Sequence, residues 1–95
     1  MRLSVVVPVF NEAENVLPLL EEIERALSPA AVLGRAFEVI YVDDGSSDDT
    51  LTRLAPVVAA GRLRLIRHVR RSGQSAAVRT GVKAARGEWI ATLDG

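Results

Sequence analysis

The sequence predicts an α/β fold in which a parallel, Rossmann-like sheet is flanked by helices. Four apolar strand-like segments alternate with three segments of helical periodicity, which is typical of βαβ units with right-handed crossovers. Three of the four strand-like segments also end in acidic or amide side chains. Such side chains are expected where the carboxyl ends of parallel strands form a ligand crevice. We expect the strand order 3-2-1-4, with the first and fourth strands adjacent.

Composition limits the protein class. The 95 residues leave room for one domain, and twelve basic and twelve acidic residues cancel, so no overall field favours nucleic acid or an anionic membrane. The absence of cysteine excludes disulfides and thiolate metal sites, and it fits a reducing compartment. No apolar run approaches the ~18 residues of a membrane span. The N-terminus does not show the pattern expected of a signal peptide.

The first predicted strand runs from Leu3 to Val9 and should be ending at Pro8, which cannot donate to a sheet ladder. Pro18 lies inside the helical pattern that follows, so we expect the regular helix to begin near Leu17. Small residues from Ser28 to Gly34 should close it. The apolar residues at helical spacing are Val16, Leu20, Ile23 and Leu27.

The second predicted strand, Phe37 to Val42, is followed by a polar turn. Ser46 and Asp49 in this turn resemble a capping box at the start of the second helix. We expect Pro56 to interrupt that helix and Gly61 to end it. Its apolar face would consist of Leu51, Leu54, Ala55 and Val58.

The remaining segments predict a third strand, a third helix from Gly73 to Arg86 and a fourth strand from Glu88 to Leu93. His68 has no partner at metal-ligand spacing and is interpreted as a surface strand residue. Trp89 is interpreted as a core residue. The third strand would contain Leu63, Leu65 and Val69, and a small-residue stripe on the third helix would permit close packing through Ala77, Gly81, Val82 and Ala85.

An acidic pair, Asp43 and Asp44, follows the second strand. The pair could simply cap the next helix, which is worth about 1 kcal/mol. A carboxylate at the end of a parallel strand can also accept hydrogen bonds from the N–H edge of a base. We therefore expect at least one of the two to contact a ligand while the other caps or braces the loop. Uracil and guanine both present such an edge, so the pair does not choose between them.

Two further segments carry candidate site residues. Pro8 and Phe10 could form a wall for a planar base with Glu12 bonding to base or ribose, or this segment could simply lead into the helix. Arg70 and Arg71 precede the third helix, where they could help its N-terminus to hold phosphate or could be solvated.

Asp94 follows the fourth strand and could cap a turn. An Asp-x-Asp sequence would instead place two oxygens on a divalent cation that neutralises a diphosphate. The second Asp of such a pair would follow Gly95, so only the first ligand of this expected metal site lies within residues 1–95.

Together these segments resemble the family 2 glycosyltransferases, and among them the polyprenol-phosphate sugar transferases. The resemblance runs through the whole chain in order, over Ser4–Glu12, Val42–Asp48, Gly73–Ala77 and Leu93–Gly95. It implies that residues 1–95 form the nucleotide-sugar-binding N-terminal part of a GT-A fold. It also implies transfer of a sugar, with inversion, from a UDP- or GDP-sugar to an acceptor that could be a polyprenol phosphate.

The resemblance implies roles for individual residues. Val42 and Asp44 would meet the base, Asp43 would support the loop, and Asp94 would hold Mg²⁺ or Mn²⁺ on the diphosphate. The other residues implied to line the nucleotide site are Pro8, Phe10, Glu12 and Gln74. The general base and the acceptor site would lie in a part of the enzyme not included here, so we expect the 95-residue chain to be inactive alone.

The supply of nucleotide sugars indicates a cytoplasmic location, with the parent protein at the cytoplasmic face of the membrane if its acceptor is a lipid. We also expect the chain to self-associate, because its fourth strand would leave an apolar sheet edge open. Two other functions would suit the fold. One is a non-catalytic nucleotide-binding or interaction module, and the other is a phosphoacceptor receiver domain, whose acidic pair should follow the first strand rather than the second.

Overall fold

The computed structural model describes residues 2–32 and 36–93, with the backbone alone for residues 29–32 and 36. These residues form a four-stranded sheet and three helices, which confirms the predicted α/β class. The elements in chain order are β1 (Arg2–Val9), α1 (Val16–Val32), β2 (Ala36–Asp43), α2 (Thr50–Ala59), β3 (Arg64–Arg67), α3 (Gln74–Ala84) and β4 (Trp89–Thr92).

The strands pair in the order β3-β2-β1-β4 and all are parallel, as predicted. β1 and β2 pair over eight positions, from Arg2 opposite Ala36 to Val9 opposite Asp43. β4 lies on the other side of β1, with Thr92 opposite Val6. The carboxyl ends of β1 and β2 therefore meet at one edge of the sheet, towards which β4 also runs.

Apolar clusters cover both faces of the sheet. β1 contributes alternate residues to each cluster, as the period-two geometry of a strand requires. The smaller cluster lies against α3 and comprises Val6, Ile40, Val42 and Ala77. The larger cluster packs against α1 and α2 and comprises Val5, Val7, Val9, Val16, Leu20, Ile23, Val39, Tyr41, Leu54, Val57 and Leu63.

The small-residue stripe of α3 packs on the sheet as predicted at Ala77 and Gly81, which are both buried. A Cβ atom at Gly81 would lie 2.3 Å from Val6 Cγ1 and 3.1 Å from Val42 Cγ2. Only glycine allows the helix backbone to approach the sheet this closely. Val82, predicted to belong to the stripe, is 38% exposed.

Most helix bounds agree with the predictions. α1 begins at Val16, next to the predicted start at Leu17, and is described to Val32, inside the predicted closing segment from Ser28 to Gly34, whose last two residues lie outside the described residues. Pro18 lies in the first turn of α1, where a backbone N–H has no partner within the helix, so proline costs little there. Pro56 lies inside α2 without ending it.

The predicted capping box at the start of α2 is wrong. Ser46 bonds to Asp43 rather than to the helix, and the Asp49 side chain makes no capping hydrogen bond. Instead, the Asp48 carboxylate accepts the Thr50 N–H at 3.0 Å. Trp89 is also not a core residue, because 58% of it is exposed on β4 at the edge of the described sheet.

Glu38 is buried near the amino ends of β1 and β2 and connects several elements. One carboxylate oxygen accepts the Ser4 hydroxyl at 2.5 Å and the Arg86 backbone N–H at 2.7 Å. The other accepts Arg64 Nη1 at 2.8 Å. The Ser4 oxygen in turn accepts the Gly87 N–H at 2.8 Å. Glu38 therefore joins β1, β2, β3 and the segment between α3 and β4.

Burial alone would raise the pKa of Glu38, but the hydrogen bonds from Ser4, the Arg86 N–H and Arg64 lower the pKa to about 2.

Among the described residues, none of the helices combines the length and the apolar character that crossing a bilayer demands.

We predict that Glu38 stabilises the fold in a pH-dependent way. Because its folded-state pKa lies below the unfolded value, this contribution is complete above about pH 4.5 and is lost as the pH falls towards about 2, an effect of about 3 kcal/mol. Chemical denaturation of the chain and of Glu38→Gln from neutral to acidic pH would measure it. The stability difference between the two proteins should shrink over this window, and a difference independent of pH would contradict the prediction.

Candidate functional site

A cavity of about 160 Å³ lies at the carboxyl ends of β1 and β2, where ligands bind in open α/β sheets. It brings together most of the residues predicted to form a binding site. Its lining consists of Pro8, Val9, Phe10, Glu12, Asp44, Arg71 and Gln74. The Asp44 N–H donates to the Val9 carbonyl at 2.8 Å, so the pairing of β1 with β2 continues to the floor of the cavity.

Asp44 is the most constrained side chain of this cavity. It is 4% exposed, and its carboxylate accepts hydrogen bonds from three donors. Oδ1 accepts the Ser72 N–H at 2.8 Å and pairs with His68 Nδ1 at 2.9 Å. Oδ2 accepts the Gly73 N–H at 2.9 Å. The segment that leads into α3 is thus wrapped around one carboxylate.

These contacts keep Asp44 ionised. Burial would raise the pKa of Asp44, but the Ser72 N–H, His68 and the Gly73 N–H together lower it. The carboxylate therefore acts only as a hydrogen-bond acceptor near neutral pH.

His68 is not the unpartnered surface residue that the sequence predicted. It follows β3, and its side chain is only 17% exposed. Nδ1 contacts Asp44, and Nε2 lies 2.8 Å from the Thr80 hydroxyl on α3. Because an ionised carboxylate cannot donate, Nδ1 must carry a proton. His68 therefore connects α3 to Asp44 and fixes the orientation of the carboxylate.

Asp43 braces the neighbouring loops and does not line the cavity. It is fully buried, and its carboxylate accepts the Ser46 N–H at 3.1 Å and the Ser46 hydroxyl at 2.5 Å. Ser46 Oγ then accepts the Asn11 N–H at 2.9 Å. The Asn11 side-chain oxygen accepts the N–H groups of Ser47 and Asp48 at 2.8 and 3.2 Å. The loops after β1 and β2 are thereby joined into one unit.

Phe10 and Arg71 form a stacked pair in the cavity wall. The Arg71 guanidinium lies 4.1 Å from the centroid of the Phe10 ring, at cation–π distance. The backbone carrying Arg71 is held close to the loop after β2, because a Cβ atom at Gly45 would lie 2.9 Å from the Arg71 nitrogen. Gly45 also has a φ of 80°, which glycine adopts without strain.

Glu12 contributes both to the start of α1 and to the cavity. Its carbonyl accepts the N–H groups of Asn15 and Val16 at 2.9 and 3.0 Å. Its carboxylate lines the cavity and accepts Asn15 Nδ2 at 2.7 Å. Glu12 therefore takes part in the start of α1 and also belongs to the cavity lining.

Two of the predicted site residues that the structure describes, Val42 and Asp43, are not among the cavity lining. The Val42 side chain is fully buried in the cluster beneath α3. Asp94 lies outside the described residues, and so does its predicted metal site. Within residues 2–32 and 36–93, no group of three or more acidic, histidine or cysteine side chains could hold a metal ion.

Sequence reasoning missed three contributors: His68, the backbone donors of Ser72 and Gly73, and the loop-joining role of Asn11. The position of His68 directly after a strand was an available signal, because β3 ends at the same sheet edge as β2. The backbone donors had no such signal, since residue type does not reveal which N–H groups a turn presents.

The chain is similar in sequence to a known protein family and to individual known proteins. The sequence model described as glycosyl transferase family 2 matches residues 4–95. The dodecaprenyl-phosphate galacturonate synthase of Rhizobium johnstonii is 42% identical over 99 residues, covering all of this chain and 28% of that protein. The dolichol-phosphate mannosyltransferase of Pyrococcus furiosus is 33% identical over 94 residues, covering 99% of this chain and 25% of that protein. The chain thus spans little more than a quarter of these relatives.

Solved structures show the same fold. The mannosyltransferase PcManGT from Pyrobaculum calidifontis, in complex with GDP-Man and Mn²⁺, superposes with a TM-score of 0.82 at 28% identity, covering 98% of this chain and 27% of that one. S. aureus TarS 1-349, in complex with UDP-GlcNAc, also superposes with a TM-score of 0.82 at 28% identity, covering 99% of this chain and 26% of that one. The sheet is therefore the Rossmann-like half of a GT-A fold, and the chain belongs to glycosyl transferase family 2.

Proposed function

We propose that this chain is the donor-binding part of an inverting glycosyltransferase that transfers a sugar from a nucleoside diphosphate sugar to a polyprenol phosphate. The observation that carries the proposal is Asp44, whose carboxylate is ionised and oriented by three donors and which belongs to the lining of a cavity at the carboxyl ends of the strands. A fixed acceptor in such a cavity suits the N–H edge of a nucleobase.

The other cavity residues suit the rest of a nucleotide. Pro8 and the Phe10–Arg71 pair give a flat wall for a planar base. Glu12 can accept hydrogen bonds from ribose hydroxyls or from the base. Arg71 and Gln74 lie at the start of α3, so the guanidinium can also meet a phosphate. Val42 would support the site indirectly, as a buried residue of the sheet beneath the base.

Asp43 would contribute indirectly. Its hydrogen bonds with Ser46, and those of Ser46 with Asn11, hold the loops on either side of the cavity before any ligand arrives. A site held in this way loses little conformational freedom on binding, which favours affinity.

The transfer itself would be a direct displacement at the anomeric carbon. The acceptor oxygen forms a bond to that carbon while the bond to the departing nucleoside diphosphate breaks. A phosphate acceptor is already anionic and needs no base, whereas a hydroxyl acceptor would need a carboxylate from elsewhere in the parent protein. The residues described here would hold and orient the donor during this step.

The divalent cation belongs to the proposal through Asp94. A bound Mg²⁺ or Mn²⁺ would neutralise charge on the diphosphate. Support comes from the Mn²⁺ in the PcManGT complex and from β4, whose Leu93 N–H donates to the Val6 carbonyl at 3.0 Å as the strand runs towards the cavity edge. The described residues alone supply no metal site, so we derive no catalytic step from the cation.

The proposed acceptor rests on the relatives, because the two named above are a dodecaprenyl-phosphate synthase and a dolichol-phosphate transferase. A polyprenol phosphate acceptor and a nucleotide-sugar donor would together place the parent protein at the cytoplasmic face of a membrane.

We predict that the chain binds a nucleoside diphosphate through Asp44. Titration calorimetry with UDP and with GDP, each with and without Mn²⁺, should detect binding of at least one of them. Asp44→Asn should weaken that binding about tenfold, the effect of losing one charge-assisted hydrogen bond of about 1.4 kcal/mol.

Asp49→Asn is the matched control, because it also removes one negative charge but from an exposed side chain directly before α2 that pairs with Arg53. This variant should bind as the unaltered chain does. A folded chain that binds neither nucleotide would overturn the proposed donor site.

We predict that the 95-residue chain does not transfer sugar by itself, because catalysis also needs an acceptor site and the described residues include none that we can assign. The test is incubation of the purified chain with UDP- and GDP-sugars, Mn²⁺ and a polyprenol phosphate, followed by analysis of the lipid fraction. Detection of a glycosylated lipid would refute this prediction.

We also predict that the chain self-associates through β4. Among the described residues, β4 pairs only with β1. Two apolar residues of β4, Trp89 and Ile90, are 58% and 43% exposed, and Leu93 directly after the strand is 39% exposed. An open apolar edge of this kind favours pairing with a second chain. Light scattering should show a mass that rises with protein concentration.

Ile90→Lys should suppress this association, because a charge on an edge strand opposes pairing. Val69→Lys is the control, since Val69 is 93% exposed and follows β3 at the opposite side of the sheet. A strictly monomeric chain at high concentration would contradict the prediction.

A further inference from the structure

We propose that the side of the sheet covered by α3 docks on a membrane surface rich in anionic lipid. The proposal rests on the proposed function, because a lipid-phosphate acceptor requires the donor cavity to lie close to a membrane. It follows from where the charges of the chain lie rather than from their sum.

The equal numbers of basic and acidic residues conceal a separation along the sequence. Residues 10–49 contain ten acidic residues and two basic ones. Between Asp49 and Glu88 the chain has nine basic residues and no acidic one. This second stretch includes β3 and α3.

The fold turns this separation into two sides of opposite charge. α1 packs on one face of the sheet and α3 on the other. The side of α1 exposes Glu21, Glu22 and Asp49, whereas α3 exposes Arg79 and Lys83, which lie one helical turn apart. An anionic surface attracts the side of α3 and repels the side of α1, so a chain without net charge can still bind in one orientation.

The loop before α3 adds to the basic side. At its start, His68 Nε2 lies 2.8 Å from the Thr80 hydroxyl of α3, and at its end the Ser72 N–H donates to Asp44 at 2.8 Å. Between these two anchors Arg70 is exposed, and Val69 is 93% exposed. The loop is thereby held beside α3 with a cation and an apolar side chain at its surface.

Two exposed valines favour a lipid partner over other anionic partners. Val82 is 38% exposed and lies in the same stripe of α3 as Arg79 and Lys83. Proteins that bind at a bilayer surface combine cations with apolar side chains that enter the headgroup region. Surfaces that bind single-stranded nucleic acid instead combine cations with aromatic rings. The basic face defined by these residues has no aromatic ring and consists of Val69, Arg70, Arg79, Val82 and Lys83.

The basic face adjoins the donor cavity. Arg71, the neighbour of Arg70 in the sequence, belongs to the cavity lining. Docking through the basic face would therefore bring the cavity to the level of the lipid headgroups, where the phosphate of a lipid acceptor lies. Arg71 shares the cavity with Asp44 and Glu12, so we assign it to the donor site and leave it unaltered in the tests.

The first experiment measures co-sedimentation of the 95-residue chain with vesicles at low ionic strength, without nucleotide. We expect binding to an equal mixture of phosphatidylcholine and phosphatidylglycerol and little binding to phosphatidylcholine alone. Added salt should release the chain, because charges are screened beyond about 8 Å at ~0.15 M. Combining Arg79→Gln with Lys83→Gln should weaken binding about 25-fold, since each cation near an anionic surface contributes about fivefold.

The matched control combines Arg25→Gln with Arg53→Gln. It removes the same charge from exposed residues of α1 and α2, on the other side of the sheet. This variant should bind the mixed vesicles as the unaltered chain does. Equal weakening by the two double variants would overturn the proposal, because binding would then depend on net charge and not on the basic face.

A second experiment tests the orientation. The chain has one tryptophan, Trp89, so Trp89→Phe gives a background without tryptophan fluorescence. In that background, brominated phosphatidylcholine mixed with phosphatidylglycerol should quench the fluorescence introduced by Val82→Trp. It should leave the fluorescence introduced by Glu21→Trp on α1 unchanged. Equal quenching at the two positions would contradict docking through α3.

The remaining outcomes separate this proposal from the function on which it rests. No binding to the mixed vesicles, or binding to a single-stranded oligonucleotide in its place, would overturn the lipid partner. Nucleotide titration should give the same affinity for the variant with Arg79→Gln and Lys83→Gln as for the unaltered chain. Loss of vesicle binding with nucleotide binding intact is therefore the result expected of that variant, whereas an unaltered chain that binds nucleotide but no vesicle would contradict the docking alone.

Discussion

The parallel pairing of β1 with β2 is the constraint on which the rest of this structure depends. Eight paired positions bring Val9 opposite Asp43, and the Asp44 N–H extends the pairing by one further hydrogen bond to Val9. This register places Pro8, Phe10 and Asp44 around one cavity, although more than thirty residues separate Asp44 from the other two along the chain. A shift of β2 by one residue would turn each of its side chains to the opposite face of the sheet and would move Asp44 away from the donors that surround it.

Buried carboxylates organise the two ends of the sheet in different ways. At the amino end, Glu38 is surrounded by donors from three other segments of the chain, and its pKa falls to about 2. At the carboxyl end, Asp43 braces the loops, and Asp44 accepts hydrogen bonds from backbone N–H groups of the turn before α3. Burying a charge is costly unless hydrogen bonds compensate it, and each of these residues has such bonds. At this end of the sheet Asp44 lines the cavity, whereas Asp43 is not among the residues that line it.

The sequence was sufficient for the strands, their order and most of the cavity, because apolar periodicity and strand-terminal polar residues are local signals. It was insufficient wherever a contact joins distant segments. The position of His68 after β3 indicates the end of the sheet at which it lies, but it does not reveal the bond to Asp44, which is 24 residues away. Trp89 was misplaced although the predicted order already put β4 at the edge of the sheet, because hydrophobicity alone does not show which side chains of an edge strand are covered. The capping box failed because Ser46 has a stronger partner in Asp43, and such competition is visible only in three dimensions.

The place of β1 in the sheet also bears on how the chain folds. β1 is made before the other strands, yet it is central, with β2 on one side and β4, the last of the four, on the other. During synthesis, some ninety residues must therefore emerge before both edges of β1, with its run of valines, are paired. Pairings of such long sequence separation form slowly and leave apolar strands exposed to other chains meanwhile. A newly made chain of this topology would thus depend on chaperones most while β4 is still within the ribosome.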